Sequence, residues 1–155
     1  MNTVHYSSKN QNWCTPMDLF EDLNAEFHFM LDAAATEKTA KCDQYFTPQT
    51  DGLARSWNCG GAVFCNPPYG RAIGKWVKKA FKEAQCGVRI VLLVPARTDA
   101  KWFHEFICGK AEIRFIRGRL RFTDEDGVPA KKLAPFPSMI VIYNAAPQGQ
   151  EDNWA

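Results

Sequence analysis

The 155-residue sequence has no run of 18 or more apolar residues, so no segment is long enough to span a membrane as a helix. Its first residues, Met1-Asn2-Thr3-Val4-His5, lack the basic and apolar regions of a secretory signal, and the expected location is the cytosol. Histidine is scarce. His5, His28 and His104 form no triad pattern and no cluster at zinc-ligand spacing. The six cysteines contain no C-x-x-C pair, and several lie in apolar runs such as Val63-Phe64-Cys65. Free thiols in a reducing compartment, with no metal, are therefore expected. There are no internal repeats. A disordered chain is excluded by 46% hydrophobic and 13% aromatic residues. This is chain enough for one core, expected over residues 11–145, with a frayed N-terminus at 1–10 and a flexible tail at 146–155.

The net charge of +2 hides an uneven distribution. Residues 1–66 hold 4 Lys/Arg against 8 Asp/Glu, whereas residues 67–132 hold 15 against 7. A basic second half suits a nucleic-acid partner; a solvated helix face carrying Lys75, Lys78, Lys79 and Lys82 accounts for part of it. Thr15-Pro16-Met17-Asp18 reads as a helix start, with Thr15 as N-cap and Pro16 in the first turn. Phe27–Leu31 reads as a strand ending at Asp32, and Gln44–Gly61 as turn-rich chain. A buried strand at Ala62–Cys65 is followed by an amphipathic helix from Ile73 to Cys86, stopped by Gly87. Val88–Val94 is the next strand and Thr98–Cys108 the next helix. Alternation through Ile113, Phe115, Leu120 and Phe122 predicts a long strand or bent pair around Gly118, and Ser138–Tyr143 a last strand. Unbroken apolar strands alternating with helices predict an α/β fold with a mostly parallel sheet. The last strand follows its predecessor without a helix, which predicts an antiparallel pairing.

In such sheets ligands gather beyond the carboxyl ends of the strands. Those ends carry Asp32, Asn66-Pro67-Pro68-Tyr69 and Pro95-Ala96-Arg97. Consecutive prolines hold the chain extended and remove two N–H donors, leaving carbonyls free as acceptors. The Asn66 side chain adds an acceptor and Tyr69 an aromatic face. This set suits methyl transfer to an exocyclic amine of a base, whose lone pair is delocalised into the ring. Asn66 Oδ1 and the Pro67 carbonyl would hold the two amine hydrogens, and Tyr69 would stack on a base rotated out of the duplex. Correct placement of the methyl donor supplies the remainder, and no strong general base is needed.

Ala62-Val63-Phe64-Cys65-Asn66-Pro67-Pro68-Tyr69-Gly70 resembles the catalytic strand and loop of amino-methyltransferases that use S-adenosylmethionine. With Gln11–Pro16, Leu31–Thr36, Lys41–Phe46, Asp51-Gly52-Leu53, Leu93–Asp99, Gly118–Phe122 and Ala134–Ser138, the chain resembles the phage and prophage DNA N-6-adenine methyltransferase (Dam) family from residue 11 to about 143. The resemblance implies a single Rossmann-like methyltransferase domain with an antiparallel C-terminal strand. It implies adenine N6 methylation in DNA, with S-adenosylmethionine as donor and DNA as partner in a bacterial cytoplasm. It implies catalytic roles for Asn66, Pro67, Pro68 and Tyr69. Asp32, Asp51, Thr15 and Pro16 resemble the cofactor side of the site. Arg97 and Arg119, beside a strand end and a turn, are expected to face DNA. The glycine-rich loop Phe-x-Gly-x-Gly of the wider superfamily is absent, and Asp32-Ala33-Ala34-Ala35 stands in its place. Cytosine N4, RNA or a protein glutamine as acceptor, and a non-catalytic nucleic-acid-binding descendant, stay open at this level. No separate target-recognition domain is expected, so specificity would come from loops such as Gly70–Ile73 and Thr123–Pro135. The oligomeric state is open.

Overall fold

The computed structural model describes residues 13–144; the expected frayed N-terminus at 1–10 and tail at 146–155 lie outside them. Helix α1, Met17–Phe27, buries Phe20, Leu23 and Phe27 along one stripe. Phe27 completes that stripe, so it ends the helix and does not open the strand as the sequence suggests. His28 then takes a left-handed conformation (φ 55°) and its N–H bonds the Asn24 carbonyl at 2.8 Å. The Asn24 side chain accepts from Phe29 N at 2.8 Å, and the chain enters strand β1, Phe29–Asp32, within one residue.

The remaining elements are β2 Gln44–Tyr45, β3 Ala62–Cys65, α2 Ile73–Gln85, β4 Ile90–Pro95, α3 Lys101–Phe106, β5 Glu112–Phe115 and β6 Ser138–Tyr143. The sheet order is β2-β1-β3-β4-β6-β5. Strands β2, β1, β3 and β4 are parallel, and β6 runs antiparallel to both β4 and β5. The α/β class, the largely parallel sheet and the reversed last strand follow the expectation. Every residue of β3, β4 and β6 is buried, so both faces of the central sheet are covered. Phe20 of α1 packs on Phe29 and Phe64. Phe81 of α2 meets Phe106 and Tyr143, and the Tyr143 hydroxyl donates to the Phe106 carbonyl.

Two other strands depart further from the sequence reading. β2, in the segment read as turns, is a two-residue edge strand, too short to show alternation; Phe46 N to the Asp32 carbonyl (3.0 Å) and Ala35 N to the Phe46 carbonyl (2.9 Å) continue its pairing. β5 stops at Phe115. Gly118 turns the chain at φ 77°, and Leu120 and Phe122 leave the sheet. The predicted long strand is thus a short edge strand followed by a connection, residues 116–137, whose Phe122 is buried elsewhere. Helix α3 is also shorter than Thr98–Cys108 because residues 98–100 and 107–109 form turns.

Candidate active site at the carboxyl edge of the sheet

Parallel β1, β3 and β4 deliver their carboxyl ends to one edge of the sheet, and with them Asp32, Asn66 and Pro95. The register Pro95↔Ser138 and Phe115↔Met139 brings the start of β6 and the end of β5 to that same edge. The long connection 116–137 therefore begins and ends beside the site. It is stitched to the amino-terminal segment by a two-way bridge, Cys14 N to the Thr123 carbonyl (3.2 Å) and Thr123 N to the Cys14 carbonyl (3.0 Å). Trp13 packs edge-on against Phe122 and Phe136 of that connection. It covers a core edge and also borders the cavity.

A cavity of about 350 Å³ opens at this edge and is lined by Thr15, Asp32, Asp51, Asn66, Pro67 and Pro68, among others. That volume lies in the range of small-molecule sites. Asn66 Nδ2 donates to the Trp13 carbonyl at 2.6 Å and to Thr15 Oγ1 at 3.1 Å. A carbonyl can only accept, so the amide nitrogen must face Trp13 and Oδ1 must point away. Oδ1 is buried and has no hydrogen-bond partner among the described residues. Leaving a buried acceptor unmet costs about 1–3 kcal/mol, so the site holds an acceptor in want of a donor. No donor among the described residues bonds the Pro67 carbonyl, which supplies a second acceptor one residue on.

Asp32 is 3% exposed, and its carboxylate accepts from Lys41 N at 3.0 Å and, weakly, from Ala34 N at 3.4 Å. Burial outweighs these bonds and pushes its carboxyl up to about 6. A buried carboxylate with so little compensation would gain from hydroxyl or ammonium donors on a ligand. Asp51 sits at φ 59°, its Oδ1 accepting from Leu53 N at 3.2 Å in a side-chain turn, and it still borders the cavity. Next to it, Gly52 approaches so closely that a Cβ would lie 2.4 Å from the Ala33 carbonyl oxygen. Glycine here lets the 47–57 segment close over the end of β1.

Thr15 does not cap α1, as the sequence suggests. Pro16 occupies the N-cap position, its carbonyl accepting from Phe20 N at 3.1 Å, and the Thr15 hydroxyl is engaged by Asn66. Pro16, Tyr69, Arg97 and Arg119 do not line the cavity. Tyr69 departs most from expectation. It is 8% exposed, its hydroxyl donates to the Leu93 carbonyl at 3.0 Å, and its ring meets Phe122 and Phe136 edge to face. As folded it offers a base little aromatic surface, because a buried carbonyl and two phenyl rings hold it in the core. Arg97 and Arg119 are exposed near the sheet edge, Arg119 reaching the Ala134 carbonyl at 3.4 Å. The sequence reading missed Lys41, Trp76 and Glu125, which also line the cavity. Lys41 lies within a family-like segment; Glu125, in a charged loop distant in sequence, carries no local signal.

Three relationships accompany this geometry. The family model described as DNA N-6-adenine-methyltransferase (Dam) matches residues 2–151. A "DNA N-6-adenine-methyltransferase" of Escherichia phage T1 is 34% identical over 116 residues, covering 74% of this chain and 48% of the relative. The chain thus aligns with about half the length of that relative. The "Putative methyltransferase YfdM" of Escherichia coli K12 is 38% identical over 63 residues, covering 37% of this chain and 69% of the relative. Matched over nearly all its length, and with Asn66-Pro67-Pro68-Tyr69 at the carboxyl end of β3, the chain belongs to the DNA N-6-adenine-methyltransferase (Dam) family.

Proposed function

We propose that the protein transfers a methyl group from S-adenosylmethionine to the exocyclic amine of an adenine in DNA. The observation that carries this reading is the buried Asn66 Oδ1, without a partner among the described residues, on a residue that lines the cavity of a chain in this family. Asn66 Oδ1 and the Pro67 carbonyl accept the two amine hydrogens. Held this way, the nitrogen turns from its planar, conjugated form toward a tetrahedral one with an available lone pair. When bound, S-adenosylmethionine would supply a methyl group on a sulfonium: the carbon–sulfur pair would stay with sulfur, the amine lone pair would form the new carbon–nitrogen bond, and the proton lost from the amine would pass to solvent water. Asp32 takes hydroxyl or ammonium donors of the cofactor, and Asp51 lies at the same cavity. Pro68 holds the chain beyond the acceptors extended. Incubation of the full chain with duplex DNA and labelled cofactor, followed by nucleoside mass spectrometry, should yield N6-methyladenine. Methyl on cytosine N4, RNA or protein instead, or DNA binding without transfer, would overturn the assignment.

Asp32 makes the cofactor step pH-dependent. Its folded pKa, about 6, stands above the ordinary carboxylate value, so the folded state holds the proton more tightly. Its contribution to folding therefore falls as pH rises from about 4 to about 6. Donors on a bound cofactor favour the carboxylate, so affinity has the opposite sign. Cofactor binding should be constant above about pH 7 and weaken by up to about tenfold per unit as pH drops through 6. Calorimetric titration from pH 5 to 8 reads this directly, and Asp32→Asn should remove the step. An unchanged step in that variant assigns it to another group.

The connection 116–137 carries Arg117, Arg119, Arg121, Lys131 and Lys132, all exposed, and Arg97 follows β4 at the same edge. This basic rim is the DNA-facing side of the proposed enzyme. Arg97→Ala and Arg119→Ala should each weaken binding evenly across duplex sequences and lower the slope of log affinity against log salt by about one. Filter binding at several salt concentrations measures it; an unchanged slope removes that residue from the interface.

A further inference from the structure

We propose that Thr15 is a positioning residue that aims the Asn66 acceptor, an inference resting on the amine-capture reading above. An asparagine amide has two near-isosteric orientations, and its plane turns easily about its last torsion. The Trp13 carbonyl, at 2.6 Å from Nδ2, settles which end faces it. One bond still leaves the amide free to pivot. The second, from Nδ2 to Thr15 Oγ1 at 3.1 Å, uses the other amide hydrogen and fixes the plane, and with it the direction of Oδ1. The two acceptors flank Cys14, whose backbone pairs both ways with Thr123, so they are held as a unit. Thr15 is 4% exposed, which leaves little room for water to replace its hydroxyl. The hydroxyl acts through Asn66; the resemblance alone would make it a cofactor contact.

The test uses the full chain with duplex DNA and cofactor at saturation. Thr15→Val keeps the shape and removes the acceptor. It should lower kcat by about tenfold to a hundredfold while the cofactor Kd stays within about twofold, and Thr15→Ser should recover most of the rate. A second readout needs neither cofactor nor DNA. The side-chain amide resonances of Asn66, identified by their loss in Asn66→Ala, should move in Thr15→Val and stay near their place in Thr15→Ser. That readout holds whichever amino group the enzyme methylates, so failure of the adenine reading and failure of this one are distinguishable. A raised cofactor Kd with kcat retained, or Asn66 resonances unmoved in Thr15→Val, would overturn the proposal.

Discussion

Asn66→Ala should lower the methylation rate by at least about a hundredfold to a thousandfold while leaving the fold in place. The magnitude is that of removing one fixed hydrogen-bonding group from a reacting centre. The fold should survive because Asn66 is only partly buried and lines the cavity, so its truncation itself opens space for water beside the Trp13 carbonyl and Thr15 Oγ1. Circular dichroism and thermal unfolding check the second half of this expectation. Asn66→Asp sharpens it. Aspartate keeps an acceptor of the same shape but has no N–H, so a carboxylate oxygen would stand where Nδ2 now lies, 2.6 Å from a carbonyl oxygen. Acceptor against acceptor at that distance repels, and the side chain must turn away or hold a proton. The variant should therefore be impaired although its chemistry as an acceptor is intact. Full activity in Asn66→Asp would mean that the Trp13 contact does not set the amide.

Tyr69→Ala should be the most damaging substitution for stability near the site. The ring is buried among Phe122 and Phe136, and truncation of a core aromatic costs about 3–5 kcal/mol. For a domain of this size that lowers the unfolding midpoint by on the order of 10 °C. Activity is lost with it, since Phe122 and Phe136 also hold Trp13, whose carbonyl positions Asn66. Tyr69→Phe removes only the hydroxyl and leaves the buried Leu93 carbonyl without that donor, at a cost of about 1–2 kcal/mol. Its activity should stay within a few-fold of the parent. Differential scanning calorimetry with steady-state rates separates the two effects. A Tyr69→Ala protein of parental stability that fails only to capture the base would restore the view of Tyr69 as an open stacking platform.

The parts of this arrangement legible in sequence are those fixed by local chemistry. Apolar runs at 62–65 and 138–143, the stripe of Ile73, Val77, Ala80 and Ala84, and the prolines after Asn66 each dictate their own element. The sheet edge, and so Asp32 and Asn66 on one cavity, followed from parallel order. What escaped reading depends on contacts distant along the chain. Thr15 looked like a helix cap because a cap needs only its neighbours, whereas its hydroxyl meets a residue 51 positions away. Tyr69 looked like a free aromatic because nothing near it in sequence shows that Phe122 and Phe136 close over it. The alternation at 113–122 continued past Gly118, but Phe122 serves the Trp13 and Tyr69 cluster and not the sheet.

In the proposed reaction Asn66 Oδ1, oriented by the amino-terminal segment, accepts a hydrogen of the amine being methylated. Single-turnover methylation of duplex DNA by the parent protein and Asn66→Ala, at saturating cofactor and scored as N6-methyladenine by nucleoside mass spectrometry, tests it most directly. The expected result is N6-methyladenine from the parent and a rate lower by about a hundredfold or more from a folded variant. Equal single-turnover rates for the two proteins would contradict the claim.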